Sequence, residues 1–211
     1  FVDFYRAFGA PVVFTALGRG TASDDVLSYL GLEATEKAVL FSVVTPACKD
    51  TLVKELVSTM HLSAPGSGIA VCLPLSSIGG KTAMNYLTSG DPSKVPEIDV
   101  EEDETMKDAA YQLIVAIANQ GYTDKVMEAA RSAGARGGTI VHTRSTGAED
   151  AGKFFGMSIA EEREMIFIVA PTGEKNAIMQ AIMAQAGPST KAQAITLSLA
   201  LEDVVGLFTT N

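Results

Sequence analysis

QLIVAIANQGYTDKVMEAARSAGARGGTIVHTRSTG, residues 112–147, is the stretch on which the fold turns. It opens with Gln112 to Ala118, a nearly continuous apolar run of the kind found in a central strand covered on at least one face. Thr123 stands where a helix cap belongs, Val126, Met127, Ala129, Ala130 and Ala133 supply an apolar helix face, and Gly134 supplies the stop. Thr139 to Thr143 returns to strand character. Beyond it, the polar stretch from Ser145 to Arg163, with Gly147, Gly152 and Gly156, is too long for an ordinary hairpin. Glu164 to Ala170 (EMIFIVA) reads as a third strand, and Pro171 and Thr172 open a helix with Ala177, Ile178, Ala181 and Ile182 at helical spacing. In the last strand Ile195, Leu197, Leu199 and Leu201 alternate with Thr196, Ser198 and Ala200, which predicts one buried face.

The order strand, helix, strand, strand, helix, strand is that of the split βαβ, or ferredoxin-like, sandwich: one antiparallel sheet with two helices on one face. Upstream, the chain repeats it. Residues 1 to about 60 match 126 to about 185 at a fixed offset of 125: Arg6, Gly9 and Ala10 meet Arg131, Gly134 and Ala135, and Gly31, Glu36 and Pro46 meet Gly156, Glu161 and Pro171. After one inserted residue, Ile69, Leu73, Leu75 and Gly80 meet Ile195, Leu199, Leu201 and Gly206. A tandem duplication follows. The expected fold is α+β, with two tandem sandwiches: residues 1–80, an acidic linker at 81–108, and residues 109–211. Strands are expected at Val12 to Leu17, Val39 to Thr45 and Ile69 to Leu75, with helices at Phe1 to Phe8 and Pro46 to Met60 and one helical turn near Thr82 to Leu87. The first copy lacks the counterpart of Gln112 to Ala118. That strand is central in this topology, so either the natural chain starts upstream or another segment fills the gap, since an empty slot leaves rows of backbone groups unpaired.

A net charge of −9 argues against nucleic acid or an anionic membrane as the main partner, since both select clustered Lys and Arg. Glu97, Asp99, Glu101, Glu102, Asp103 and Glu104 concentrate acidity in the linker. No apolar run approaches the roughly 20 residues of a membrane helix. Cys48 and Cys72, neither in a close-spaced ligand pair, are read as small buried thiols in a reducing cytoplasm. With only two histidines, His61 and His142, no metal set is expected, and His142 is read as a packed strand residue. Gly79, Gly80, Lys81 and Thr82 mimic the end of a phosphate-binding loop, but Leu75 stands where its first glycine belongs. The copies share no acid, base and nucleophile, so no catalytic residues are expected.

GARGGTIVHTRSTG, the long loop, and EMIFIVAP followed by a helix resemble the nitrogen-regulatory PII family and its PII-like relatives. SLALEDVVGL resembles the family's last strand and the segment after it, and VVFTALGRGTA, FSVVTP and IAVCLPLSSIGG play these parts in the first copy. The resemblance implies a cytoplasmic, non-catalytic signal transducer that forms homo-oligomers. Such proteins read small molecules, often adenine nucleotides, in clefts between subunits, and contact a regulated protein through the loop between the second and third strands. Some family features are missing. Between Arg144 and Met165 there is no tyrosine to modify. The glycine- and lysine-rich loop before the last strand is reduced to Gly187, Pro188, Ser189, Thr190 and Lys191, and Gly206 and Phe208 stand in place of two phosphate-holding arginines. A triphosphate needs several converging donors, so a smaller anionic effector competes with an adenine nucleotide as the expected ligand.

The candidate ligand residues are Arg144, Ser145, Thr146 and Gly147, with Arg19, Gly20 and Thr21 across the repeat. A guanidinium followed by small residues can hold an anion, or it can merely cap strand carbonyls or pair with an acid. Lys153, Phe154 and Phe155 are either a partner contact or aromatics folded back onto protein. The competing readings are a small ferredoxin-like enzyme, and a purely structural or metal-tolerance oligomer.

Overall fold

The computed structural model describes residues 1–19, 36–62, 68–91, 93, 109–146, 162–202 and 204. In chain order the elements are α1 (Val2–Ala7), β1 (Val13–Arg19), β2 (Glu36–Phe41), α2 (Pro46–Ser58), β3 (Ser77–Ile78), α3 (Lys81–Ser89), β4 (Tyr111–Asn119), α4 (Thr123–Ser132), β5 (Thr139–Thr146), β6 (Glu162–Pro171), α5 (Thr172–Ala186) and β7 (Ile195–Leu201). All strand pairings are antiparallel, in one seven-stranded sheet ordered β2-β1-β5-β6-β4-β7-β3. The protein is therefore of mixed α+β class. Two separate sheets were expected; instead β1 joins β5, with Phe14 opposite Ser145, and the halves share one sheet.

The C-terminal half follows its sequence pattern. β4 lies between β6 and β7, and β5 flanks β6, so the order β7-β4-β6-β5 is that of a split βαβ unit. Alternate residues Ile114, Ala116 and Ala118 of β4 and Ile166, Ile168 and Ala170 of β6 pack against α4 (Val126, Met127, Ala129, Ala130) and α5 (Ile178, Met179, Ile182, Ala186). Gly134, at φ +108°, turns the chain out of α4. The expected cap is different: α4 has Tyr122 as its N-cap, with no side-chain bond, while the Thr123 hydroxyl donates to Glu164 Oε2 at 2.6 Å. β7 also departs from expectation, because Thr196 and Ser198 are as buried as Ile195 and Leu197. Ser198 meets Ser76 and Ser77 hydroxyls at 2.9 and 2.8 Å, and Ser76 donates to buried Gln112 at 2.6 Å, so these polar side chains satisfy one another under α5.

The other sheet face is covered by the segment assigned to a linker. Ala83, Tyr86 and Leu87 of α3 bury against Val115, Ile117, Met165, Ile195 and Leu197, together with Phe14 of β1 and Val12 just before it. Phe41 of β2 and Phe167 of β6 have ring centroids 6.4 Å apart. In a flat sheet three strand intervals would separate them by about 14 Å. The sheet must therefore curl, folding the N-terminal strands over the C-terminal ones.

In the N-terminal half, α1 and α2 meet through Phe4, Tyr5 and Phe8 around Leu52 and Leu56. The Cys48 thiol donates to the Phe8 carbonyl at 3.0 Å. Ile69 to Leu75, expected as a strand, pairs with no strand among the described residues; only Ser77–Ile78 enters the ladder, beside β7. Cys72, on this segment, is exposed rather than buried.

Candidate functional site

Inward-facing polar residues gather where β5 and β6 run into residues 147–161. Strand alternation turns Arg163 toward the α3 side of the sheet, beside Thr143 on β5 and Asn119 on β4, its register partners. Only 3% of Arg163 remains exposed. Its Nη1 donates to the Gln193 carbonyl at a long 3.5 Å, its Nε has no hydrogen-bond partner among the described residues, and no described carboxylate forms an ion pair with it. Burial pulls the guanidinium below the usual arginine range, and nearby Tyr86 partly offsets that.

Two elements supply the rest of the cluster. Tyr86, buried on α3, has its phenol raised above the ordinary range by burial, against the opposing pull of Arg163 and of the neighbouring Ser145 hydroxyl. Gln193, also buried, adopts φ +47°, a left-handed backbone rare outside glycine and a source of local strain. Asn119 Nδ2 reaches the Lys191 carbonyl at 2.9 Å and Gln193 Oε1 at 3.4 Å, tying the turn before β7 to the end of β4.

The sequence candidates fall as follows. Arg144 and Ser145 are neighbours on β5 and so face opposite sides of the sheet. Ser145 is buried beside Tyr86, whereas Arg144 is exposed and 3.7 Å from Glu162. Thr146 and Arg19 end their strands, opposite Val13 and Glu36. Gly147, Gly20, Thr21, Lys153, Phe154 and Phe155 lie outside the described residues. His142 is not packed: its side chain is exposed, 3.6 Å from the buried carboxylate of Glu164. Glu164 in turn accepts from the Gly121 N–H at 3.1 Å and from Thr123.

Sequence reasoning missed Arg163, Tyr86 and Gln193. Arg163 was legible in part, because extending EMIFIVA by one residue puts an arginine in phase with Met165 and Phe167. Tyr86 was hidden by the linker assignment. Away from this cluster, a concavity of about 350 Å³ lies beside the N-terminus of α3 and is lined by Ser77, Gly79, Gly80, Asn176, Gln180 and Met183 among others. It brings together no charged side chain.

Among the described residues no group of three or more His, Cys, Asp or Glu could hold a metal ion, and no helix is long and apolar enough to cross a membrane. Fold and site together define an α+β protein with one curled antiparallel sheet and a buried arginine at the root of the connection between β5 and β6. No family model matches the chain, and no curated protein matches it. Among solved structures, one similar chain is described as the crystal structure of Arabidopsis thaliana PII bound to citrate. The two share 18% identity over 48% of this chain and 84% of that one, with a TM-score of 0.37.

Proposed function

We propose that the chain is a duplicated, PII-like regulatory protein with no catalytic centre, which binds a small anionic effector at the root of the 147–161 connection and acts on a protein partner through it. The observation that carries this reading is Arg163. A buried guanidinium forfeits several kcal/mol of hydration, on the order of what a well-placed anion returns. Its described partner is one distant carbonyl, while Tyr86 and Ser145 stand close enough to orient a bound carboxylate or phosphate. The sequence resemblance to PII proteins and the split βαβ order of the C-terminal half support the same class. An adenine nucleotide or a compact di-acid is the expected ligand, with nitrogen status as the corresponding signal. Subunit association in a cytoplasmic homo-oligomer would place further donors around the anion.

The test is a thermal-shift screen with ATP, ADP, AMP, cyclic nucleotides and 2-oxoglutarate, followed by hydrogen exchange of residues 147–161. A ligand selective for the native state adds about 2.7 kcal/mol at a hundredfold excess over Kd. The screen should give at least one hit, slower exchange in 147–161, and loss of both in Arg163→Met, a variant that keeps the volume and removes the buried charge. If every anion leaves the midpoint unmoved, or the hit survives in Arg163→Met, the proposal fails.

A further inference from the structure

Gly79, Gly80, Lys81 and Thr82, the phosphate-loop mimic of the sequence, acquire a strand-to-helix setting in the structure. β3 ends at Ile78, the two glycines turn the chain with Gly80 at φ +97°, and Lys81 and Thr82 open α3. The first bond of that helix runs from the Met84 N–H to the Gly80 carbonyl at 3.2 Å, and no side chain caps its start. The N–H groups of Lys81, Thr82 and Ala83 are therefore left to an outside acceptor, although Ala83 is only 1% exposed. Lys81 itself is exposed and forms no ion pair with a described acid. Backbone N–H groups at a helix start, with a lysine beside them, suit one phosphate.

The concavity at this helix start supplies the rest of a site. Its volume, about 350 Å³, is near the lower end for small-molecule sites. Asn176, Met179, Gln180 and Met183 share one face of α5 and line it. The two carboxamides have no hydrogen-bond partner among the described residues, and the two thioethers add apolar surface. The floor carries a second unmet demand, independent of the helix start. The Thr196 hydroxyl is fully buried, has no partner, and faces Gly79, a lining residue: a Cβ there would fall 2.3 Å from Thr196 Oγ1 and 3.1 Å from Met183 Sδ.

We infer that this concavity is a site for a sugar monophosphate, separate from the Arg163 cluster, with the phosphate at the start of α3 beside Lys81 and the sugar against α5. A sugar hydroxyl both donates and accepts, and carboxamides and a threonine hydroxyl offer both in return. The C–H face of a sugar ring fits the two adaptable thioethers. No aromatic ring lines the concavity to stack a nucleobase. One lysine and one helix start match a single phosphate, whereas a triphosphate needs several converging donors.

The test is an NMR titration of the whole chain with ribose 5-phosphate and glucose 6-phosphate, with ribose, inorganic phosphate and AMP as comparisons. At least one sugar phosphate should shift the backbone amides of 80–83 and the side-chain amides of Asn176 and Gln180, and should bind at least about tenfold more tightly than ribose or inorganic phosphate. Lys81→Ala should weaken that binding about tenfold through loss of a charge-assisted contact, and Gln180→Ala about threefold. Both residues are exposed, so the Tm of each variant should stay within about 2 °C of wild type. Arg163→Met should leave the sugar-phosphate affinity unchanged, which separates a failure here from a failure of the anion site at Arg163. Absence of shifts at 80–83 with both sugar phosphates overturns the inference. Equal binding of inorganic phosphate, tighter binding of AMP through the same amides, or unchanged affinity in Lys81→Ala overturns it as well.

Discussion

Leu87→Ala separates a true core helix from a linker. Leu87 is fully buried in α3, in a cluster with Val115, Ile117, Met165, Ile195 and Leu197 from three paired strands. Truncation to alanine forfeits about 2–3 kcal/mol of transfer free energy. Those strands are fixed by ladders on both sides, so the site cannot collapse far, and the cavity term brings the loss to about 3–4 kcal/mol. For a chain of this size that corresponds to a fall in Tm of about 10 °C. The assay is chemical denaturation of the wild type, Leu87→Ala and Leu87→Met, with the slope unchanged and the midpoint shifted. Leu87→Met conserves volume and should cost less than about 1.5 kcal/mol. Ile69→Ala, at a site 92% exposed, is the control and should stay within about 0.5 kcal/mol of wild type. A Leu87→Ala loss as small as that of Ile69→Ala would refute the burial of α3 and with it the account of how this sheet face is covered.

Gly79→Ala should destabilise by about 1–3 kcal/mol through overpacking, because its Cβ would fall 2.3 Å from Thr196 Oγ1; adding Thr196→Ala should recover part of the loss in a double-mutant denaturation cycle. Glu164→Ala removes the acceptor of the Gly121 N–H and the Thr123 hydroxyl, and should cost about 1.5–3 kcal/mol, with faster exchange of the Gly121 amide as the local readout. Burial raises the pKa values of Tyr86 and Tyr5, so their folded-state values exceed the unfolded value of about 10. Their contribution is complete below about pH 10 and is lost as pH rises through the folded values, so stability should fall as pH is raised above about 10 and Tyr86→Phe should flatten the fall. An unchanged slope in Tyr86→Phe would contradict the burial of the phenol.

Several elements were legible because their physics is local. The run Gln112 to Ala118, the helix faces of α4 and α5 and the stop at Gly134 depend on periodicities of two and 3.6 residues and on a left-handed glycine, which a sequence displays directly. Other assignments depended on partners distant in the chain. Thr123 is a capping residue by type, but Glu164 on a neighbouring strand takes its hydroxyl. His142, aligned with Leu17 in the sequence and read as packed, is exposed, as Leu17 is, because no helix among the described residues covers that part of the sheet face.

Sequence alone determined the order of elements in the C-terminal half and the apolar faces of its helices. These follow from side-chain spacing, which needs no knowledge of neighbours. Tertiary structure alone decided that the halves share one sheet through β1 and β5, that the apparent linker supplies a core helix, and that Arg163 is the buried cation. The reason is that burial and strand pairing belong to pairs of segments: Ile69 and Ile195 are the same residue type, and Ile195 is buried where β7 pairs with β4, whereas Ile69 pairs with no strand among the described residues.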